Sequence, residues 1–179
     1  RWWYSTQYYE PIYRSVYVEK DCLMKDLDKQ LPTFKENLNY WLIGNSNAIV
    51  FCLDMIKAIH LWDDLIDKDN ELKDEEINDV FTFLMVDMPM NPFYAVNQRE
   101  IAPMMQNIIL KWHTANVFEK EKEVNDVDKA YMPRAELYQL FVLCATLVGG
   151  REWGREMSIH IWRLYGESVK ELKKEVKDS

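Results

Sequence analysis

The stretch Asn47-Ala-Ile-Val-Phe-Cys-Leu-Asp-Met-Ile-Lys-Ala-Ile-His-Leu-Trp-Asp-Asp-Leu-Ile-Asp-Lys68 decides the fold class. It contains no Gly and no Pro. Ala48, Cys52, Met55, Ile59, Trp62 and Ile66 recur at spacings of 4, 3, 4, 3 and 4, the period of an amphipathic helix. At about 100° per residue these six side chains fall within an arc of roughly 80°. Asp54, Lys57 and Asp64 fall on the opposite, polar side. Asp63 does not: its direction lies between those of Cys52 and Ile56, inside the apolar arc, and His60 and Asp67 border it. An ionised carboxylate in that direction needs a partner. A divalent cation, a buried salt bridge to Arg or Lys, or a capping role at the helix end would each supply one.

The helical pattern extends over most of the chain. Thr33 and Glu36 have the spacing of a capping box and open a helix with Phe34, Leu38, Trp41 and Leu42 inward, stopped by Gly44. Lys68 to Lys73 reads as a polar loop. Asp74, Glu75 and Glu76 place negative charge in the first turn of the next helix, where the macrodipole favours it. Its expected buried side is Ile77, Val80, Phe81 and Leu84, and Pro89 is its expected end. Asn91-Pro92 starts another helix, in which Pro103 either makes a kink or begins a new segment. Ile101, Met105, Ile108, Trp112 and Ala115 carry its apolar stripe. Residues 119–128 are highly charged and read as a solvated loop or helix end. Tyr131 to Val148 reads as a central helix buried on most sides, ended by Gly149-Gly150. A last helix is expected over Glu152 to Glu175, with Trp153, Met157, Ile161, Leu164 and Leu172 inward.

Before these lie a helix expected from Ser15 to Gln30, with Val18, Cys22, Leu23 and Leu27 inward, and a segment at residues 1–15 crowded with Trp2, Trp3, Tyr4, Tyr8, Tyr9 and Tyr13. That aromatic arm either covers its own domain or meets a partner or a second subunit. The expectation is an all-α protein: a compact bundle of about six or seven helices with one central apolar helix, forming one domain over residues 16–179 behind the arm.

Composition agrees. The chain has 179 residues with 48% apolar side chains, only 5 Gly and 6 Pro, and a net charge of −8. That charge, with no basic stripe, speaks against binding nucleic acid through phosphate neutralisation and against an anionic membrane surface. The longest apolar run, Leu140 to Val148, is too short to span a bilayer, and no signal peptide is evident. Cys22, Cys52 and Cys144 are odd in number and set among apolar neighbours. They read as reduced core residues of a cytoplasmic protein.

Two constellations can carry chemistry. Asp63, Asp64 and Asp67 offer three hard oxygen ligands within five residues, a set suited to Mg²⁺, with His60 one turn earlier as a base or a further ligand. Glu156, His160, Arg163 and Glu167 form one stripe at the edge of the last helix's apolar face. It could supply a catalytic acid or base from Glu156 and His160 and a phosphate contact from Arg163, or simply intrahelical ion pairs. Arg134 is the best candidate for a phosphate contact from another helix; Lys129 beside it reads as solvated, and His113 as structural. The sequence has no Gly-rich phosphate loop, no His-Glu-x-x-His, no paired Cys-x-x-Cys and no Glu-x-x-His of the di-iron bundles.

Asp63-Asp64-Leu65-Ile66-Asp67 resembles the aspartate-rich motif of class I isoprenoid synthases, which are also all-α. The resemblance implies Mg²⁺ at Asp63, Asp64 and Asp67 holding a diphosphate substrate. The chain departs from that family after the motif, where Asp69, Asn70 and Glu71 replace basic residues. At the second metal motif, Asn125-Asp126-Val127 is followed by Lys129 and Pro133 where a hydroxyl residue and a glutamate are expected. Over its whole length, with His60-Leu-Trp-Asp-Asp-Leu-Ile-Asp-Lys-Asp69 and Asp128-Lys-Ala-Tyr-Met-Pro-Arg-Ala-Glu-Leu-Tyr-Gln-Leu-Phe141, the chain is similar to small uncharacterised proteins of tailed bacteriophages. That resemblance implies a non-catalytic accessory, virion or host-directed interaction protein.

Overall fold

The computed structural model describes residues 33–68, 71–121, 125–166 and 168–178. The aromatic arm and the helix expected over residues 15–30 lie outside them. Helix α1, Phe34–Trp41, opens on the expected capping box: Thr33 Oγ1 accepts the Glu36 N–H at 3.2 Å and Glu36 Oε2 accepts the Thr33 N–H at 3.0 Å. It ends where Ile43 and Gly44 turn left-handed, with φ of 51° and 67°. A non-glycine residue takes that conformation only at a cost, while Gly44 adopts it freely. Asn45 Oδ1 then accepts the Ala48 N–H at 3.0 Å and starts α2, Ser46–Asp67.

The buried face of α2 is Ala48, Phe51, Cys52, Met55, Ala58 and Leu61. The first half matches the expected arc, but toward the C-terminus the face drifts from Ile59 and Ile66 toward Leu61, leaving Ile66 exposed. The drift follows a change of partners. Phe51 lies 6.0 Å from Phe93 and 5.7 Å from Tyr94, and Trp62 lies 4.2 Å from Trp112, in ring centroids. A helix that meets different neighbours along its length cannot keep one straight inward stripe.

After Lys68, in the left-handed conformation (φ 58°), α3 spans Asp74–Thr82. Its first N–H groups follow Lys73, whose own N–H is held by Glu76 Oε2 at 3.0 Å. The helix ends one residue past the expected Pro89. It passes through a π turn, Phe83–Asp87, into a short α4, Met88–Met90. Phe83 is the buried residue here, with Val80, Leu84 and Met88 packed partly beside it, and Phe81 points outward. Residues two apart on a helix point to nearly opposite sides, so burying Phe83 excludes Phe81.

Asn91 starts α5, Pro92–Glu121, as expected: its Oδ1 accepts the N–H groups of Phe93 at 2.9 Å and Tyr94 at 3.2 Å. Its Nδ2 donates to the Asn47 carbonyl at 3.0 Å, tying the starts of α2 and α5 together. Pro103 sits inside one continuous helix. The expected central helix from Tyr131 is divided. Helix α6, Asp126–Arg134, ends at Ala135 one residue pair after Pro133, and α7 begins at Leu137. The ladder tightens at the break, where the Ala135 N–H donates to the Met132 carbonyl at 3.1 Å and the Glu136 N–H to the Pro133 carbonyl at 3.3 Å.

Helix α7, Leu137–Arg163, is the apolar centre, burying Tyr138, Leu140, Phe141, Cys144 and Ala145. At Gly150 its backbone leaves the helical region (φ 86°, ψ 177°). The bend is sharp enough that a side chain at Gly154 would run into Thr146. The fold therefore requires glycine at both positions, one for its torsion and one for its size. Beyond the bend, the Trp153 indole N–H donates to the Trp41 carbonyl at 2.7 Å. Phe34, Trp41 and Phe141 meet at ring separations of 5.5–6.3 Å, closing the main core.

The long last helix expected over Glu152 to Glu175 is two helices. The chain leaves α7 at Leu164, and Ser168 and Glu171 form a second capping box (2.7 and 3.3 Å) at the start of α8, Val169–Asp178. Leu172 consequently joins Ala115, Ala130 and Val176 in a small separate cluster against α5 and α6, away from Met157 and Ile161 in the main core. The described residues contain no strand and no helix long and apolar enough to cross a membrane.

Candidate functional site

The Asp63 end of α2 sits just beyond the Trp62–Trp112 contact, where α2 passes over the C-terminal half of α5. Asp63 and Asp64 are half-buried and Asp67 is exposed. The Asp63 carboxyl is pushed up from its ordinary 3.8 to about 6, first by burial and then by the negative charge of Asp67, with Asp64 adding to it and Arg134 opposing. The half-buried position of Asp63 agrees with its direction inside the apolar arc of the helix.

Among the described residues, the cation that acts on Asp63 is Arg134, at the end of α6. The Arg134 guanidinium is 7% exposed and makes a 2.8 Å ion pair with Glu119 Oε2 of α5, itself 19% exposed. Arg134 acts on Asp63 through space and gives its direct contact to Glu119. The carboxylate that holds Arg134 was hidden in the charged stretch expected to be solvated. Its position gave a signal: Glu119 continues the inward stripe of Ile108, Trp112 and Ala115 by one helical step. Around the pair, Lys111 bonds Glu136 at 2.7 Å and Lys173 bonds Asp128 at 2.6 Å. Lys129 is bonded to Asp126 at 2.7 Å and lies 5.7 Å from the Phe118 ring centre.

His60 is lowered from its ordinary value because burial outweighs the favourable charge of Asp64. Taking the half-buried ring out of water disfavours its charged form more than the neighbouring carboxylate favours it.

The second constellation stands elsewhere. Glu156 is exposed, His160 is half-buried and Arg163 is exposed; Glu167 lies outside the described residues. The His160 ring meets Tyr40 of α1 edge-on at 6.4 Å between centres. The Tyr40 hydroxyl is raised by burial and by the charge of Glu156. This row thus serves the α1–α7 contact, and the charges of described residues that act on Asp63 are those of Asp67, Arg134 and Asp64. Of the expected site residues, the fold brings Arg134 to the Asp63 end and leaves Glu156 and His160 beside Tyr40.

A metal shell would need carboxylates from a second helix to join Asp63, Asp64 and Asp67. Among the described residues no three His, Cys, Asp or Glu side chains are grouped so as to hold a metal ion. Asp63 and Asp67 share one face a turn apart, while Asp64, next in sequence to Asp63, points about 100° away from it. Deeper in the fold, the buried thiols of Cys52 and Cys144 are in hydrogen-bonding contact between α2 and α7, and burial pushes Cys52 well up. No family model matches the chain, and no curated protein or solved structure does so significantly.

Proposed function

We propose that this chain is a non-catalytic accessory or interaction protein, of the kind its likeness to small tailed-bacteriophage proteins implies. The observation that carries the reading is the Arg134–Glu119 ion pair. Among the described residues, the cation that acts on Asp63 is Arg134, and its guanidinium is paired with a carboxylate of α5 inside the protein. A diphosphate site would need that guanidinium turned toward its ligand, as a fork for phosphate oxygens. The alternative is a Mg²⁺-dependent enzyme acting on a diphosphate, with Asp63, Asp64 and Asp67 as ligands, His60, Glu156 and His160 as acids or bases and Arg134 and Arg163 on the phosphates; against it, Glu156 and His160 stand beside Tyr40 of α1 and not among the charges that act on Asp63. The sequence at residues 1–15 adds Trp and Tyr, the side chains most often found as interface anchors, which supports contact with a partner or with another copy.

The test is calorimetry of the intact protein with Mg²⁺ and with Mg²⁺ plus inorganic diphosphate, run alongside Asp63→Asn. The interaction reading expects no saturable heat in either protein. Saturable binding lost in Asp63→Asn would establish the enzyme reading instead.

A further inference from the structure

The helix that runs from α3 through the π turn to α4 has two faces. One buries Phe83 and partly buries Val80, Leu84 and Met88. The other exposes Phe81 (58%), Met85 (74%), Val86 (49%) and Met90 (76%). These four are not scattered. Phe81 and Met85 are one turn apart, and the π turn, which advances less per residue than an α turn, keeps Val86 and Met90 on the same outward side. Contiguous exposed apolar side chains of this size mark interaction surfaces. Methionine is the adaptable residue of such surfaces, because its unbranched thioether fits varied shapes.

Charge runs beside the stripe. Residues 71–91 carry six carboxylates, Glu71, Asp74, Glu75, Glu76, Asp79 and Asp87, against one cation, Lys73. Glu76 is engaged by the Lys73 N–H. Glu75, Asp79 and Asp87 are exposed. On a helix they fall along one flank of the stripe, next to Val86 and Met90. Asp74 to Glu76 suit the helix N-terminus, but Asp79 and Asp87 are well past the first turn, where the macrodipole gives them nothing.

We infer that the outward face of residues 74–90 is a docking surface for a basic amphipathic helix of a partner protein. Its apolar side lies on Phe81, Met85, Val86 and Met90, and its Lys or Arg residues face Glu75, Asp79 and Asp87. Seventeen helical residues give a track of about 25 Å, enough for about four turns of a partner helix. Binding of this kind reads apolar anchors at helical spacing, and the carboxylates steer and orient the approach. The inference rests on the interaction-protein reading and names the partner's chemistry.

The test uses the full chain and a fluorescein-labelled synthetic peptide of Leu and Lys with Leu at helical spacing, followed by anisotropy. Two variants separate the contributions: Met85→Ser with Met90→Ser, and Glu75→Gln with Asp79→Asn and Asp87→Asn. All these positions are exposed, so circular dichroism should be unchanged. The expected result is saturable binding, weakened at least tenfold by either variant and absent for a peptide with Glu in place of Lys. Equal binding by a scrambled Leu–Lys peptide, or by both variants, would overturn the proposal, since the acidic protein would then be attracting cations nonspecifically. Self-association lost in Met85→Ser with Met90→Ser, without peptide binding, would overturn it in favour of a second copy. So would binding to neutral or anionic lipid vesicles in place of the peptide. A failure here with the Mg²⁺–diphosphate titration still silent removes this surface alone; diphosphate uptake at Asp63 removes the interaction reading on which it stands.

Discussion

Two neighbouring helices carry apolar stripes of similar sequence quality and opposite fate. On α2, Ala48, Phe51, Cys52, Met55 and Ala58 are buried against α1, α5 and α7. On the segment from α3 to α4, Phe81, Met85, Val86 and Met90 face outward, although Phe83, Leu84 and Met88 between them face in. Apolar character alone thus does not say which side of a helix the protein closes over. The α2 stripe has one face and a polar back, so only one packing is available. The α3–α4 segment is apolar nearly all round past Asp79, and the π turn determines which of its residues the core receives.

The strongest way to break this comparison is Phe51→Ala. Phe51 is fully buried against Phe93 and Tyr94, and truncating a buried aromatic costs about 3–5 kcal/mol. Chemical denaturation should show a loss in that range. Arg134→Met should come next. It leaves the Glu119 carboxylate in a largely buried position without its guanidinium, which should cost about 2–3 kcal/mol, below the range for fully buried pairs because Glu119 keeps some contact with water. Adding Glu119→Leu should recover most of that loss, because it removes the stranded charge. Thr33→Ala removes one half of the α1 capping box and should cost about 1 kcal/mol. Met85→Ser, on the outward stripe, should change stability by less than about 0.5 kcal/mol; a loss comparable to that of Phe51→Ala would mean that the stripe is covered.

Much of this was legible in the sequence, because single-faced helices and their caps are local. The Thr33–Glu36 box, the Gly44 stop, the Asn91-Pro92 start and the break at Gly149-Gly150 all appear where the residues indicated. The errors share a cause. The break at Ala135 and the division of the last helix at Leu164 were masked by apolar periodicity that continued through them, although the Ser168–Glu171 spacing marked the second. The outward turn of Phe81 needed knowledge of the π turn, which has no simple sequence signature. At the site, the inward lean of Asp63 and the facing charge of Arg134 were readable from helix geometry and charge. Glu119 was legible only as the next step of the Ile108, Trp112 and Ala115 stripe, a signal obscured by the charged run it opens.

The central claim is that Asp63 is a half-buried carboxylate disfavoured by burial and by Asp67, and opposed among the described residues by the charge of Arg134. The pH dependence of Asp63→Asn stability tests it most directly. Its folded-state value near 6 lies above the ordinary 3.8, so the folded state holds the proton more tightly. The stability this contributes is full below about pH 4 and is lost as pH rises through 6. Asparagine cannot ionise, so at pH 8 the variant should be more stable than the parent by about 1–2 kcal/mol, after discounting the shift for partial solvent screening. The gain should fade as pH falls toward 4, and Mg²⁺ should leave both proteins unmoved. A variant less stable than the parent at pH 8, with Mg²⁺ stabilising the parent alone, would contradict the account.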